Sequence, residues 1–156
     1  MENIIEKADF LKSQYTKILS NLDEAAPAKW GKMNVQQMIE HMSEYVRIAN
    51  GKTPMEVLTA EDMLPRMQGF LASEKPMREN TPNSLMPDTP PAVRHATKQE
   101  AINELQTEID HFFEVHEQEA DRKTANPFFG TLDFDQQVQL LYKHGMHHLR
   151  QFGAME

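Results

Sequence analysis

The chain contains no cysteine in 156 residues, so neither a disulfide nor a thiolate nucleophile is available to it. It has no apolar run approaching the length of a membrane span, which argues against a membrane partner. Cations are in deficit: 16 Lys and Arg stand against 24 Asp and Glu, for a net charge of −8. That balance argues against nucleic-acid binding, which needs cationic surface to neutralise phosphates; the acidic excess serves solubility. Glycine is sparse at six residues, and no glycine-rich phosphate loop is formed from them. The opening Met1-Glu2-Asn3-Ile4-Ile5-Glu6 is acidic and interrupted, unlike a secretory leader. Together these absences lead us to expect a cytoplasmic protein of one domain, residues 1–156.

What is present is helical periodicity. Ile4, Ala8, Leu11, Tyr15, Ile18 and Leu22 recur at spacings of four and three, the stripe of an amphipathic helix. Pro27 and Trp30-Gly31 interrupt it. A second helix begins at Asn34, where Asn34 and Gln37 form a capping box, runs through Val35, Met38, Met42, Tyr45 and Ala49, and stops at Gly51. A third opens with Thr97-Lys98-Gln99-Glu100 and buries Ile102, Leu105, Ile109, Phe112 and His116. A fourth starts near Asp133, with Gln136 as capping partner, and carries Phe134, Val138, Leu141, Gly145, His148 and Phe152. Gly145 weakens helix propensity but admits a close approach by a neighbour.

Between the second and third helices, Thr59 is placed to cap a shorter helix through Met63, Met67, Phe70 and Leu71, with Pro65 in its first turns. From Lys75 to His95 the chain holds Pro76, Pro82, Pro87, Pro90 and Pro91, five of its nine prolines. This reads as an irregular crossover, either a functional cover or a linker. No strand alternation is visible. The expected fold is all-α: a four-helix bundle with a long crossover between its second and third helices, the architecture that builds sites from inward side chains.

Three histidines stand out. His144 and His148 lie one turn apart on the last helix, close enough to grip one metal as the histidines of an H-E-x-x-H helix do. His41, on the second helix beside Met38, Met42 and Tyr45, would be the third ligand; alternatively it is a core-edge imidazole hydrogen-bonded to a neighbour. His148 sits on the buried stripe itself, where a metal or a dedicated hydrogen bond must satisfy it. Gln37, Glu44 and Gln151 have the spacing to accept from an outer imidazole nitrogen, and nothing in the sequence selects among them. His147 turns away from His148 and reads as a supporting or surface group. His116 fits the helix dipole near its C-terminus, and His95 and His111 read as solvated. Glu40, Glu44 and the acidic run from Glu114 to Asp121 read as solvated faces. Serines and tyrosines form no triad. Met38, Met42, Met63, Met67, Met77 and Met86 read as core, with an adaptable substrate surface as the alternative.

Two segments resemble a known family. Trp30-Gly31-Lys32-Met33-Asn34-Val35-Gln36-Gln37-Met38-Ile39-Glu40-His41-Met42 resembles the second-helix signature of the DinB-like superfamily, in a branch catalogued as a domain of unknown function. Asn126-Pro127-Phe128-Phe129-Gly130-Thr131-Leu132, followed by Tyr142-Lys143-His144 through His148-Leu149-Arg150-Gln151-Phe152-Gly153, resembles that branch's closing signature. The resemblance implies an up-down-down-up bundle, often a homodimer, with a divalent metal on His41, His144 and His148. It also implies a low-molecular-weight thiol as cosubstrate, since characterised relatives include thiol transferases and isomerases. Asn126 departs from the branch, which often places a histidine there.

Three neutral imidazoles would leave a cation largely uncompensated and a coordination position open. A thiol or water bound there would ionise, with no protein base required. The expectation is therefore metal-dependent thiol transfer or hydrolysis on a small-molecule substrate, the nucleophile being the bound thiol or water. Zinc and nickel both suit imidazole. The competing readings are a non-catalytic metal-binding or stress-related bundle and a metal-free interaction module.

Overall fold

The computed structural model describes residues 1–79 and 88–155. Among these the chain is mostly helical, with six helices and one small sheet. The helices are α1 (Ile4–Ser13), α2 (Tyr15–Asn21), α3 (Val35–Ala49), α4 (Leu64–Ala72), α5 (Lys98–Gln118) and α6 (Phe134–Gln151). A two-stranded antiparallel sheet, β1 (Thr124–Asn126) with β2 (Gly130–Leu132), separates α5 from α6. No described helix is long and apolar enough to cross a membrane.

The capping chemistry read from the sequence sets the helix starts. Asn34 accepts from Gln37 N and Gln37 returns the bond to Asn34 N, at 2.8 and 2.9 Å, so two otherwise orphaned amides are satisfied at the head of α3. Asp133 and Gln136 repeat the box on α6. Thr97 makes only half of one: it accepts from Glu100 N, while the Glu100 carboxylate reaches Ala96 N instead. Gly51, at φ +87°, takes the left-handed turn that ends α3 without a Cβ clash.

The buried stripes pack into one cluster that includes Leu11, Tyr15, Leu19, Met38, Met42, Leu105, Phe112 and Leu149. A second cluster of Leu71, Phe129, Leu132 and Leu140 joins α4, the hairpin and the start of α6. Polar ties set which residues face each other. Lys7 on α1 donates to Gln139 on α6, and Tyr15 lies against Gly145. Thr16 meets Gln106, and Lys98 donates to Leu19 O. Arg47 pairs with Glu104, while Asn50 donates to Glu108.

Four expectations need correction. The first amphipathic stripe is not one helix: it breaks at Gln14, although Gln14 N still bonds Phe10 O and Ile18 N still bonds Gln14 O. The bend lets α1 lie on α6 while α2 lies on α5. Thr59 caps nothing; its hydroxyl donates to Phe128 O, and α4 begins after a short 3-10 turn at Glu61–Met63, with Pro65 in its first turn. The hairpin was invisible as alternation because each strand is three residues long. Its turn is organised by Asn126, whose buried Oδ1 accepts from both Phe128 N and Phe129 N. Finally, Glu40 is no solvated acid. It is 5% exposed and accepts from Arg94 N and His95 N, fixing the end of the crossover to α3. Of the methionines, Met38 and Met42 are core, Met63 is exposed, and Met67 and Met77 pack on the second cluster. Met86, and the crossover between residues 80 and 87, lie outside the described residues.

Candidate metal centre

The structure brings together the three rings that the sequence singled out. His41 Nε2 lies 3.1 Å from His144 Nε2, and His148 Nε2 lies 2.9 Å from the same atom. All three nitrogens fall within 4.8 Å of one another. His41 comes from the middle of α3, and the pair from the last two turns of α6, where a spacing of four stacks side chains on one face. His41 and His148 are buried, and His144 is partly buried.

The tautomer of His148 follows from its neighbours. Its Nδ1 lies 2.7 Å from Gln151 Oε1, and the Gln151 amide nitrogen donates to Trp30 O at 2.9 Å. Oε1 can only accept, so Nδ1 carries the proton and Nε2 presents a lone pair to the other two rings. Of the acceptors left open by the sequence, Gln151 is the one used. Gln37 is occupied by its capping box and by Pro91 O.

Burial holds the rings neutral. Desolvation pushes His41 down to about 4, with a smaller contribution from the nearby His147. It also drives His144 and His148 well below the usual imidazole value, helped by repulsion from the neighbouring imidazoles, His41 and His147 for both and His148 for His144. Three uncharged imidazoles with converging Nε2 atoms cannot satisfy one another, since one shared proton serves at most two nitrogens. Nitrogen donors at this spacing, without a carboxylate among them, fit a single divalent cation.

The surroundings are aromatic and partly polar. The Tyr45 ring lies 4.9 Å from both His41 and His144. Trp30 packs against His147 at 5.3 Å, and His147 is buried, so the surface alternative for that residue is overturned. The close approach allowed by Gly145 is used by Tyr15, whose ring would stand 3.3 Å from a Cβ there. A small pocket of about 50 Å³ opens beside His41, walled by Met33, Glu44, Pro91 and Arg94. Glu44, unlike Glu40, makes no hydrogen bond among the described residues.

The remaining histidines stay apart. His116 is buried between Phe112 and Phe134 with neither ring nitrogen hydrogen-bonded. His95 is not solvated as expected: its ring is three-quarters buried and its Nε2 stands 3.3 Å from Glu104. His111 is half-buried.

A family model described as the DinB superfamily matches residues 8–152, nearly the whole chain and all three clustered histidines. No curated protein and no solved structure matches the chain.

Proposed function

Because the chain belongs to the DinB superfamily, we propose that it is a metal-dependent enzyme in which His41, His144 and His148 hold one divalent cation, zinc or nickel, and a thiol or water becomes the nucleophile for transfer or hydrolysis. The observation that carries this reading is the convergence of three Nε2 atoms from two helices within 4.8 Å. The up-down-down-up topology belongs to the same reading. It is supported by contacts that run in step between the first rod (α1 with α2) and α6 (Lys7 to Gln139, Tyr15 to Gly145) and between α3 with its cap Asn50 and α5 (Arg47 to Glu104, Asn50 to Glu108). Contacts run in opposite sense between α5 and the first rod (Thr16 to Gln106, Leu19 to Lys98).

A divalent cation at this site would supply Lewis acidity, enough to ionise a coordinated thiol or water near neutral pH. The chain's residues supply the frame. Gln151 fixes the His148 tautomer, Tyr45 packs against the His41 and His144 rings, and the uncharged ligand set leaves the cation's charge undiminished. Glu40 is committed to the crossover backbone. Glu44 is the carboxylate left on the pocket wall to take a proton.

The test has two stages. Protein purified without chelator is expected to carry about one equivalent of divalent metal, and the loaded protein is expected to conjugate low-molecular-weight thiols to electrophiles or to hydrolyse esters or amides. A second reading, a non-catalytic metal-binding bundle, is favoured by the small size of the pocket beside His41. Chelation that lowers the melting temperature, with no turnover on any panel, selects it. Absence of metal from folded protein, even after incubation with zinc or nickel, removes both.

A further inference from the structure

The back of α6 carries a second cleft, of about 510 Å³, formed with α1 and with the segment that follows α4. Tyr142, Met146 and Arg150 line it at spacings of four. They lie two residues out of phase with His144 and His148, roughly 200° around the helix, so the cleft and the histidine cluster occupy opposite faces of one rod.

Its floor is apolar: Phe10 and Tyr142 meet edge to face at 5.4 Å, and Met146 packs beside them as a partly buried wall. Its charges are unusual for an acidic protein, since four cations (Lys7, Lys75, Lys143 and Arg150) face two carboxylates, Glu6 and Glu74. Lys7 is matched: it is bonded to Glu74 and Gln139. Lys143 is not. Its ammonium is buried on neutral acceptors, Phe70 O at 2.7 Å and Ser73 O at 2.9 Å, and lies over the Phe70 ring. Lys75 and Arg150 meet no carboxylate among the described residues. Glu6 is the only cleft carboxylate not already paired.

We propose that this cleft is a binding site for a small organic anion, a carboxylate or phosphate ester carried on an aromatic or branched apolar body. The anion sits between Arg150 and Lys75 in the field of the buried Lys143, and the body lies on Phe10, Tyr142 and Met146. The volume falls in the range of ordinary small-molecule pockets. A guanidinium presents the planar fork that suits carboxylate and phosphate oxygens. The site does not depend on the histidine cluster.

NMR titration of the full chain, kept metal-free, tests it with benzoate and phenyl phosphate as probes. Benzyl alcohol and inorganic phosphate serve as controls. The expected result is saturable shifts at the Met146 methyl and the Tyr142 ring with both organic anions. Affinity should fall about tenfold for benzyl alcohol and for inorganic phosphate. A Lys75→Ala/Arg150→Ala double variant, which removes one exposed and one half-buried side chain, should lose a similar factor. His41→Ala protein should bind as the parent does. No saturation by either anion up to about 10 mM overturns the proposal. Equal binding of the neutral analogue, equal binding of bare phosphate, an undiminished double variant, or loss of binding in folded His41→Ala protein each overturns it too.

Discussion

Two parts of this molecule bury imidazoles with no carboxylate bonded to them, and they differ in one respect. At the C-terminal end of α6, three rings from two helices turn their Nε2 atoms inward, His41 and His148 to within 3.1 Å of His144. At the C-terminal end of α5, His116 is also buried, packed against Phe112 and Phe134, but its two nitrogens make no hydrogen bond. Both sites hold their rings neutral by desolvation. Burial and a lowered pKa therefore do not mark a metal site. What sets the candidate metal site apart is the convergence of its ring nitrogens, together with an outer acceptor, Gln151, that fixes which nitrogen of His148 is bare.

The sharpest way to break that contrast is removal of one converging nitrogen. His148→Ala is expected to abolish stoichiometric metal, with less than about a tenth of an equivalent retained after dialysis; His116→Ala should retain the full complement. Metal analysis of the two variants side by side decides the matter, and equal content would erase the distinction. Next in size is the outer acceptor. Gln151→Leu removes the bond that holds His148 Nδ1 and should weaken metal affinity by about 10- to 100-fold, read by competition with a chromophoric chelator. Gln151→Glu, which keeps an acceptor oxygen, should recover most of it.

Acid titration sharpens the comparison further. In chelated protein the folded His41 ring has its pKa depressed from 6.5 to about 4. The unfolded chain therefore binds protons first, and stability is complete above about pH 6.5 and declines as pH falls toward 4. Melting temperatures measured across that interval should drop steadily. Protein loaded with metal should hold its melting point further into acid, because the ion competes with the proton for the same nitrogens. Coincident curves would show that the rings take up no ion. The smallest effect belongs to the isolated ring. His116→Leu replaces two unsatisfied nitrogens by carbon and is expected to stabilise the fold by about 1 kcal/mol, a rise of roughly 2–4 °C in melting temperature, with metal content untouched.

The sequence disclosed the helices and the histidine cluster for the same reason: both are written in short-range spacing. Asn34 with Gln37, and Asp133 with Gln136, announce helix starts within four residues, and the i, i+4 pair of His144 and His148 is a local fact. His41 needed the second-helix signature and a bundle to be placed opposite them. What stayed hidden depends on distant neighbours. Glu40 is indistinguishable from a surface acid until Arg94 and His95 come back across it. The bend at Gln14 follows from α1 and α2 resting on different helices, which no stripe records. The hairpin is tied by Asn126 and by distant residues such as Gln68 and Thr59, the latter 69 residues away from its partner Phe128, and so had no periodic trace.

The contact between His41 and His144 spans 103 residues of a chain that has no sulfur bridge to offer. An ion held between them would do topologically what a covalent crosslink does, closing a ring through most of the polypeptide. In the chain-entropy picture a crosslink of about 100 residues is worth about 4.7 kcal/mol, released or withheld according to how much free metal surrounds the protein. Durability of the fold would then be a property of the medium as much as of the sequence, with the inventory of available ions setting how long each copy lasts.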